Sequence, residues 1–160
     1  LDASLKKIID SIDKKELRVA VSGLKRLKSN QIDSLVHSLH DEIYDSIDCL
    51  DCAECCRNLG PAIKDMDIQR MAKFLKIKPS ELTEKYLIID EDGDYVFKKM
   101  PCPFLQNDNL CMVYESRPIA CREYPHTDRK NFYQIIDLSL KNVKTCPIVA
   151  KVFKMIPEKL

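Results

Sequence analysis

Asp48-Cys49-Leu50-Asp51-Cys52-Ala53-Glu54-Cys55-Cys56-Arg57 is the stretch on which the reading of this chain turns. Four cysteines fall in eight residues, spaced C-x2-C-x2-C-C. The other four, Cys102, Cys111, Cys121 and Cys146, lie further along. Thiolates are soft ligands for zinc and for iron–sulfur clusters. Four within about two helical turns supply most of a coordination shell. The pattern points to metal held by the eight cysteines and says little of what the metal does. The bland alternative is a set of small buried cysteines or a disulfide framework, but cysteines seldom cluster this densely without a ligand.

Geometry sharpens the reading. On a continuous helix each residue advances about 100°, so Cys52 lies about 60°, Cys56 about 20° and Cys55 about 120° from Cys49. Cys49, Cys52 and Cys56 would then share a face. Leu50, Ala53 and Glu54 suit a helix, and no glycine or proline intervenes before Gly60, so a helix is expected. A loop would instead let Cys49, Cys52 and Cys55 grip one cluster. In both forms, adjacent Cys55 and Cys56 are expected not to meet one metal ion alike. That predicts a second metal or a spare thiol, with Cys102 and Cys111 completing a shell begun by the first group.

A chain of 160 residues can bury a core as one domain, and residues 1–160 are read as a single domain. Lys+Arg 26 against Asp+Glu 25 leaves a net charge of +1, so no basic excess argues for nucleic acid. No apolar run is long enough to span a bilayer, and no signal peptide is read. Eight cysteines would also suit a secreted disulfide protein. The Cys-Cys adjacency, the C-x2-C repeats and the chain size favour reduced thiols holding metal, and hence the cytosol.

Taken in order, residues 1–47 read as a helical N-terminal extension. Leu5, Ile8, Ile9 and Ile12, then Leu17, Val21, Leu24 and Leu27, recur at helical spacing. Gly23 weakens the second series and Ser29-Asn30 reads as a break. Ile32, Leu35, Val36, Leu39, Ile43 and Ile47 mark a further helix, expected to run into the cysteine stretch. His37 and His40 sit three apart on it and could face one metal; surface histidines are the favoured reading.

Beyond Gly60-Pro61, Asp65 or Asp67 caps a helix carrying Ile68, Met71, Ala72, Phe74 and Leu75. Pro79 opens another. Residues 86–89 and 95–97 read as strands around Asp90-Glu91-Asp92-Gly93-Asp94. This acidic turn lacks the ligand order of a calcium loop and reads as a hairpin. Pro101-Cys102-Pro103 excludes helix interior. A turn at Asn107-Asp108-Asn109 would bring Cys102 near Cys111. Residues 132–138 read as a strand. Cys146-Pro147 begins a last helix packed through Val149, Val152 and Phe153, whose dipole would lower the Cys146 thiol. The fold class is therefore α+β and mainly helical: N-terminal helices, a cysteine-rich metal-binding core over 49–150 with short hairpins, and a C-terminal helix.

Several ordered motifs together carry a resemblance. They are Cys49-x2-Cys52-x2-Cys55-Cys56, Asp67-Ile68-Gln69-Arg70, Cys102-Pro103-Phe104-Leu105, Cys111 to Pro118, Cys121-Arg122-Glu123-Tyr124-Pro125, and Cys146-Pro147. The chain resembles the CxxCxxCC family of zinc- or iron-chelating domains, the YkgJ-type cysteine-cluster proteins, over about residues 49–150. The resemblance implies chelation through the cysteines. Members are described as zinc-binding or as iron–sulfur proteins, and some related flagellin lysine methylases carry the same cluster. The only glycines are Gly23, Gly60 and Gly93, so no glycine-rich nucleotide loop supports a methyltransferase site here.

Three functions from different classes follow. In the first, the cysteines hold an iron–sulfur cluster or zinc. Four thiolates suit both, and the resemblance with the C-x2-C-x2-C run inclines the choice to iron–sulfur. The second is a redox or protein-modifying enzyme, for which Arg122, Glu123, Tyr124 and His126 are the residues to inspect. Their favoured reading is structural, with Arg117 and Arg122 neutralising thiolate charge and Tyr124 packing. The third is a zinc-stapled interaction domain presenting its N-terminal helices to a protein partner, which an exposed apolar stripe would support.

Overall fold

A computed structural model describes residues 3–160. In chain order the first helices are α1 (Ala3–Asp10), α2 (Lys14–Leu24), α3 (Ser29–Tyr44), α4 (Cys49–Cys52) and α5 (Glu54–Asn58). Next come α6 (Asp65–Leu75), α7 (Pro79–Tyr86) and the strands β1 (Leu87–Ile89) and β2 (Tyr95–Phe97). Helices α8 (Ile119–Glu123), α9 (Ile136–Asn142) and α10 (Pro147–Lys159) follow, with 3-10 helices at Tyr114–Ser116 and Phe132–Ile135. The fold is mainly helical α+β, with one small antiparallel sheet among the described residues. Among the described residues, no helix is long and apolar enough to cross a membrane. The described residues divide into two compact units.

The first unit comprises the residues up to Cys52 together with Pro125–Leu160. Its core is built on α10, which packs against α1, α2 and α3. Helix α10 buries Ile148, Val149, Val152, Phe153 and Ile156; α3 buries Ile32, Val36, Leu39 and Ile43. Both sets fall at helical spacing, so each helix turns one apolar stripe inward. A capping box starts α2: Asp13 Oδ1 accepts the Glu16 N–H at 2.7 Å, and Glu16 returns a bond to the Asp13 N–H at 3.3 Å. A Cβ at Gly23 would fall 1.9 Å from Leu160 Cδ1, so glycine lets the end of α10 approach α2.

Three expectations for this unit are corrected. Ser29-Asn30 is not a break but the first turn of α3, with Gln31 Oε1 accepting the Lys28 N–H at 3.0 Å. The break lies just before it, over residues 25–28. Helix α3 does not run into the cysteine stretch; it ends at Tyr44, and α4 starts afresh at Cys49. Residues 132–138 are helical, not a strand. Phe132, Ile135, Ile136 and Ser139 are buried at i, i+3, i+4 and i+7, and that period wins over the β preference of the isoleucines. Both Asp33 carboxylate oxygens anchor the turn's start, accepting the Asn131 and Phe132 N–H groups at 2.8 Å each.

The second unit is Ala53–Tyr124. Ile63, Ile68, Met71, Ala72, Leu82, Leu87, Phe97, Phe104 and Val113 form its core. Helix α6 packs on α7 and on the 3-10 helix Tyr114–Ser116. Strands β1 and β2 pair Leu87 with Phe97 and Ile89 with Tyr95, as the alternating residues around the acidic turn predict. Asp90 Oδ1 closes that turn by accepting the Asp92 and Asp94 N–H groups at 3.0 and 2.9 Å. Asp94 pairs with Lys64 at 2.6 Å. Asp90 and Asp94 thus serve turn closure and an ion pair. Phe104 is fully buried between Tyr86 and Phe97, with ring centroids 4.9 and 5.8 Å away. Phe104→Ala should cost about 3–5 kcal/mol, read as a lower denaturant midpoint; an unchanged midpoint would refute this packing.

Candidate metal centre

The cysteine stretch is not one helix. Ala53 stands between α4 and α5 with φ 51° and ψ 16°, the left-handed region. The 100° projection of one continuous helix therefore does not carry from Cys49 and Cys52 to Cys56. Nor is the stretch an open loop, since Cys49–Cys52 and Glu54–Asn58 are each helical. All eight cysteines are thiols and none forms a disulfide.

In the second unit, Cys56 meets the later cysteines. Its carbonyl accepts the Cys102 N–H at 2.8 Å. The hairpin expected at residues 107–109 is present. Gln106 N–H bonds the Leu110 carbonyl and Met112 N–H the Phe104 carbonyl, both at 2.8 Å, with Asn109 at φ 67°. This presents Cys102 and Cys111 together. Helix α8 supplies Cys121. Burial pushes the Cys102 thiol up to about 11 and the Cys121 thiol up to about 12. Negative charge on Cys56 adds to both shifts, and Cys102 and Cys111 add to that on Cys121. Burial raises Cys111 too, again helped by Cys56. Cys56 goes the other way, from 9.0 to about 7, because the Cys55 thiol hydrogen-bonds it and Arg57 and Arg117 lie nearby, against the effect of burial. Cys55 and Cys56 Sγ are 3.9 Å apart. Two thiolates at about 2.3 Å from a tetrahedral metal stand about 3.8 Å from each other. Adjacency in sequence therefore does not by itself keep this pair off one metal.

In the first unit, Cys146 lies within electrostatic reach of Cys49 and Cys52. Cys146 is the residue before α10, with the Val149 and Ile148 N–H groups near its thiol. Those donors lower the thiol as the helix end was expected to do. Burial outweighs them and pushes it up to about 12. The predicted direction is thus overturned by desolvation, which penalises the charged form.

Among the other candidates, His37, His40 and Arg122 have structural partners. His37 Nε2 bonds the Arg129 carbonyl at 2.9 Å. His40 is buried, bonds Thr127 Oγ1 at 2.7 Å and stacks on Tyr44 at 4.8 Å, so it is not a surface histidine. Arg122 Nη2 donates to the Glu115 carbonyl at 2.7 Å. Glu123 is exposed, while Tyr124 and His126 are half-buried. Arg117 lies over the Tyr114 ring at 3.8 Å and within reach of Cys56, Cys111 and Cys121. On α2 and α3 the exposed large apolar side chains are Val19 and Tyr44, one on each, which is not a stripe. The residue undervalued by sequence is Asp67, read as a helix cap but found fully buried with partners beyond its helix.

Soft donors gathered in two sets, with arginines beside one of them, fit zinc or an iron–sulfur group in chemistry. Their geometry is less advanced: among the described residues, no three His, Cys, Asp or Glu side chains are already arranged to hold a metal ion. The two facts are compatible. Neutral thiols gain nothing by converging on a point, whereas thiolates do so around a cation. Comparison with curated proteins and with solved structures gave no match. One family model, described as a putative zinc- or iron-chelating domain, matches residues 48–147. That span holds all eight cysteines and more than half of the chain, and leaves α1 to α3 outside. The chain belongs to the CxxCxxCC family.

Proposed function

We propose that this protein is a cysteine-ligated metal protein with two ligand sets. Cys56, Cys102, Cys111 and Cys121, with Cys55 adjoining, form one set. Cys49, Cys52 and Cys146 form the other. The single observation that carries this reading is the gathering of thiols in the second unit, where the Cys56 carbonyl accepts the Cys102 N–H at 2.8 Å and the hairpin presents Cys111 beside them. Ionised together without a cation they would repel at short range in a poorly solvated site. A metal turns that repulsion into ligation. An iron–sulfur group is the leading occupant, and the reduced thiols suit a reducing compartment such as the cytosol. Zinc is the second reading, favoured by the interruption at Ala53. It divides the C-x2-C-x2-C run, and the Cys56 set alone offers the four thiolates of a closed structural zinc site.

Anaerobic purification followed by iron, zinc and acid-labile sulfide analysis, with a visible spectrum, separates these outcomes. Iron with matching sulfide and broad visible absorption supports the first occupant. Zinc without sulfide supports the second. A well-folded chain carrying no metal, and taking none up when offered anaerobically, would overturn the proposal.

A further inference from the structure

The buried carboxylate of Asp67 has no solvent exposure. Its Oδ2 accepts the Lys64 N–H at 3.0 Å at the start of α6. Its Oδ1 accepts the Arg70 Nη2 at 2.6 Å and the Ile119 N–H at 3.1 Å. Ile119 is the first residue of α8, the helix that carries Cys121. Arg70 Nη2 also donates to the Arg117 carbonyl at 2.9 Å. One ion pair on α6 thus holds the chain on both sides of Pro118.

A helix cap needs only the bond to Lys64. The rest of this network reaches 47 to 52 residues along the chain, to a segment whose two ends bear on the Cys56 set. Arg117 lies upstream of Pro118, within reach of Cys56, Cys111 and Cys121. Cys121 lies downstream, two residues past Ile119. A buried carboxylate is costly unless its hydrogen bonds are satisfied. Here all three donors are in place, so the segment is fixed rather than loosely draped.

We infer that Asp67 and Arg70 are positioning residues for the metal set of the second unit. They fix the angle at which α8 delivers Cys121 and the place from which Arg117 offsets thiolate charge. This rests on the metal-binding reading above, and the two can fail separately.

The test uses the full chain, stripped of metal and titrated anaerobically with cobalt(II), whose thiolate charge-transfer absorption per metal reports how many thiolates bind. Asp67→Asn keeps the shape but leaves Arg70 unpaired and sets an amide N–H₂ against one of the three donors. Arg70→Gln keeps the Asp67 bonds to Lys64 and Ile119 but leaves the buried carboxylate without its cation, and so breaks the same pair from its more exposed side should Asp67→Asn fail to fold. Asp65→Asn, on the first turn of the same helix, is the control. Either clamp variant should bind cobalt at least about tenfold more weakly at the Cys56 set, with lower charge-transfer intensity per bound metal. The control should match the parent. Parent-like affinity and intensity in a folded Arg70→Gln or Asp67→Asn chain would overturn the positioning role. Failure of the parent chain itself to take cobalt through its cysteines would overturn the metal-binding reading first, and this inference with it.

Discussion

Stripping the metal should lower the melting temperature by about 20–40 °C. Structural zinc sites supply on the order of 10 kcal/mol of folding free energy. A whole domain is stable by only about 5–15 kcal/mol, and in a chain of this size 1 kcal/mol moves the midpoint by roughly 2–4 °C. The second unit shows why dependence should be strong. Its apolar core is one cluster of nine buried side chains. The segments bearing Cys102, Cys111 and Cys121 include short turns and a five-residue helix. Elements that short are not stable by themselves. The measurement is a thermal melt of the anaerobically purified chain before and after chelation, with metal content determined on both. An unchanged melt in a chain shown to have lost its metal would count decisively against metal as part of the fold.

Helix existence was legible because it rests on period. Ile32, Val36, Leu39 and Ile43 in α3, and Val149, Val152 and Phe153 in α10, are buried as their spacing demands. The hairpin of residues 87–97 was legible for a similar reason: short apolar runs flank an Asp-Gly turn, and Gly93 takes the positive φ of 82° that such turns need. What failed were boundaries and one strand. Nothing in Ala53 announces a left-handed residue, because alanine is the best of helix formers. Residues 132–138 read as a strand in sequence and are helical. Their helical burial depends on Asp33, nearly a hundred residues earlier, closing the turn at Asn131. The i, i+3, i+4 spacing of Phe132, Ile135 and Ile136 is a local trace of the helix, but the long-range bond that fixes its start leaves none.

For the candidate site, the identity of the donors was plain, since cysteine density needs no geometry. The grouping was not. Projection on one helix assigned Cys56 to the face of Cys49 and Cys52, and one residue's φ undoes that assignment. The shift of Cys146 was misjudged for a physical reason of equal generality. Its position before α10 promised a lowered thiol, but burial and N–H donation oppose each other there and burial is the larger. Asp67 was undervalued because a carboxylate near a helix start has an easy local explanation. Only its bond to Ile119 reveals a second use.

Single serine replacements should separate the cysteines into two classes, with the break at Ala53 as the dividing line. Serine is close in size to cysteine and a poor ligand for soft metals. If a shell worth about 10–16 kcal/mol is shared evenly over four thiolates, each carries about 3 kcal/mol. Losing one then costs on the order of a hundredfold in affinity. Cys56→Ser, Cys102→Ser, Cys111→Ser and Cys121→Ser should each release the metal of the second unit's set and leave the other in place. Cys49→Ser, Cys52→Ser and Cys146→Ser should do the converse. Cys55→Ser is informative in a different way. Its Sγ lies 3.9 Å from that of Cys56, so loss of metal would make it a ligand, and retention would make it the neighbour that tunes Cys56. Metal per chain, counted by elemental analysis after anaerobic desalting, is the readout. A continuous helix would instead have Cys49, Cys52 and Cys56 fail together while Cys55 stands apart. If Cys49→Ser and Cys56→Ser abolished one and the same metal in a chain that holds only one, the division into two sets would be wrong. The left-handed turn at Ala53 would then serve to wrap the stretch around a single centre rather than to part it.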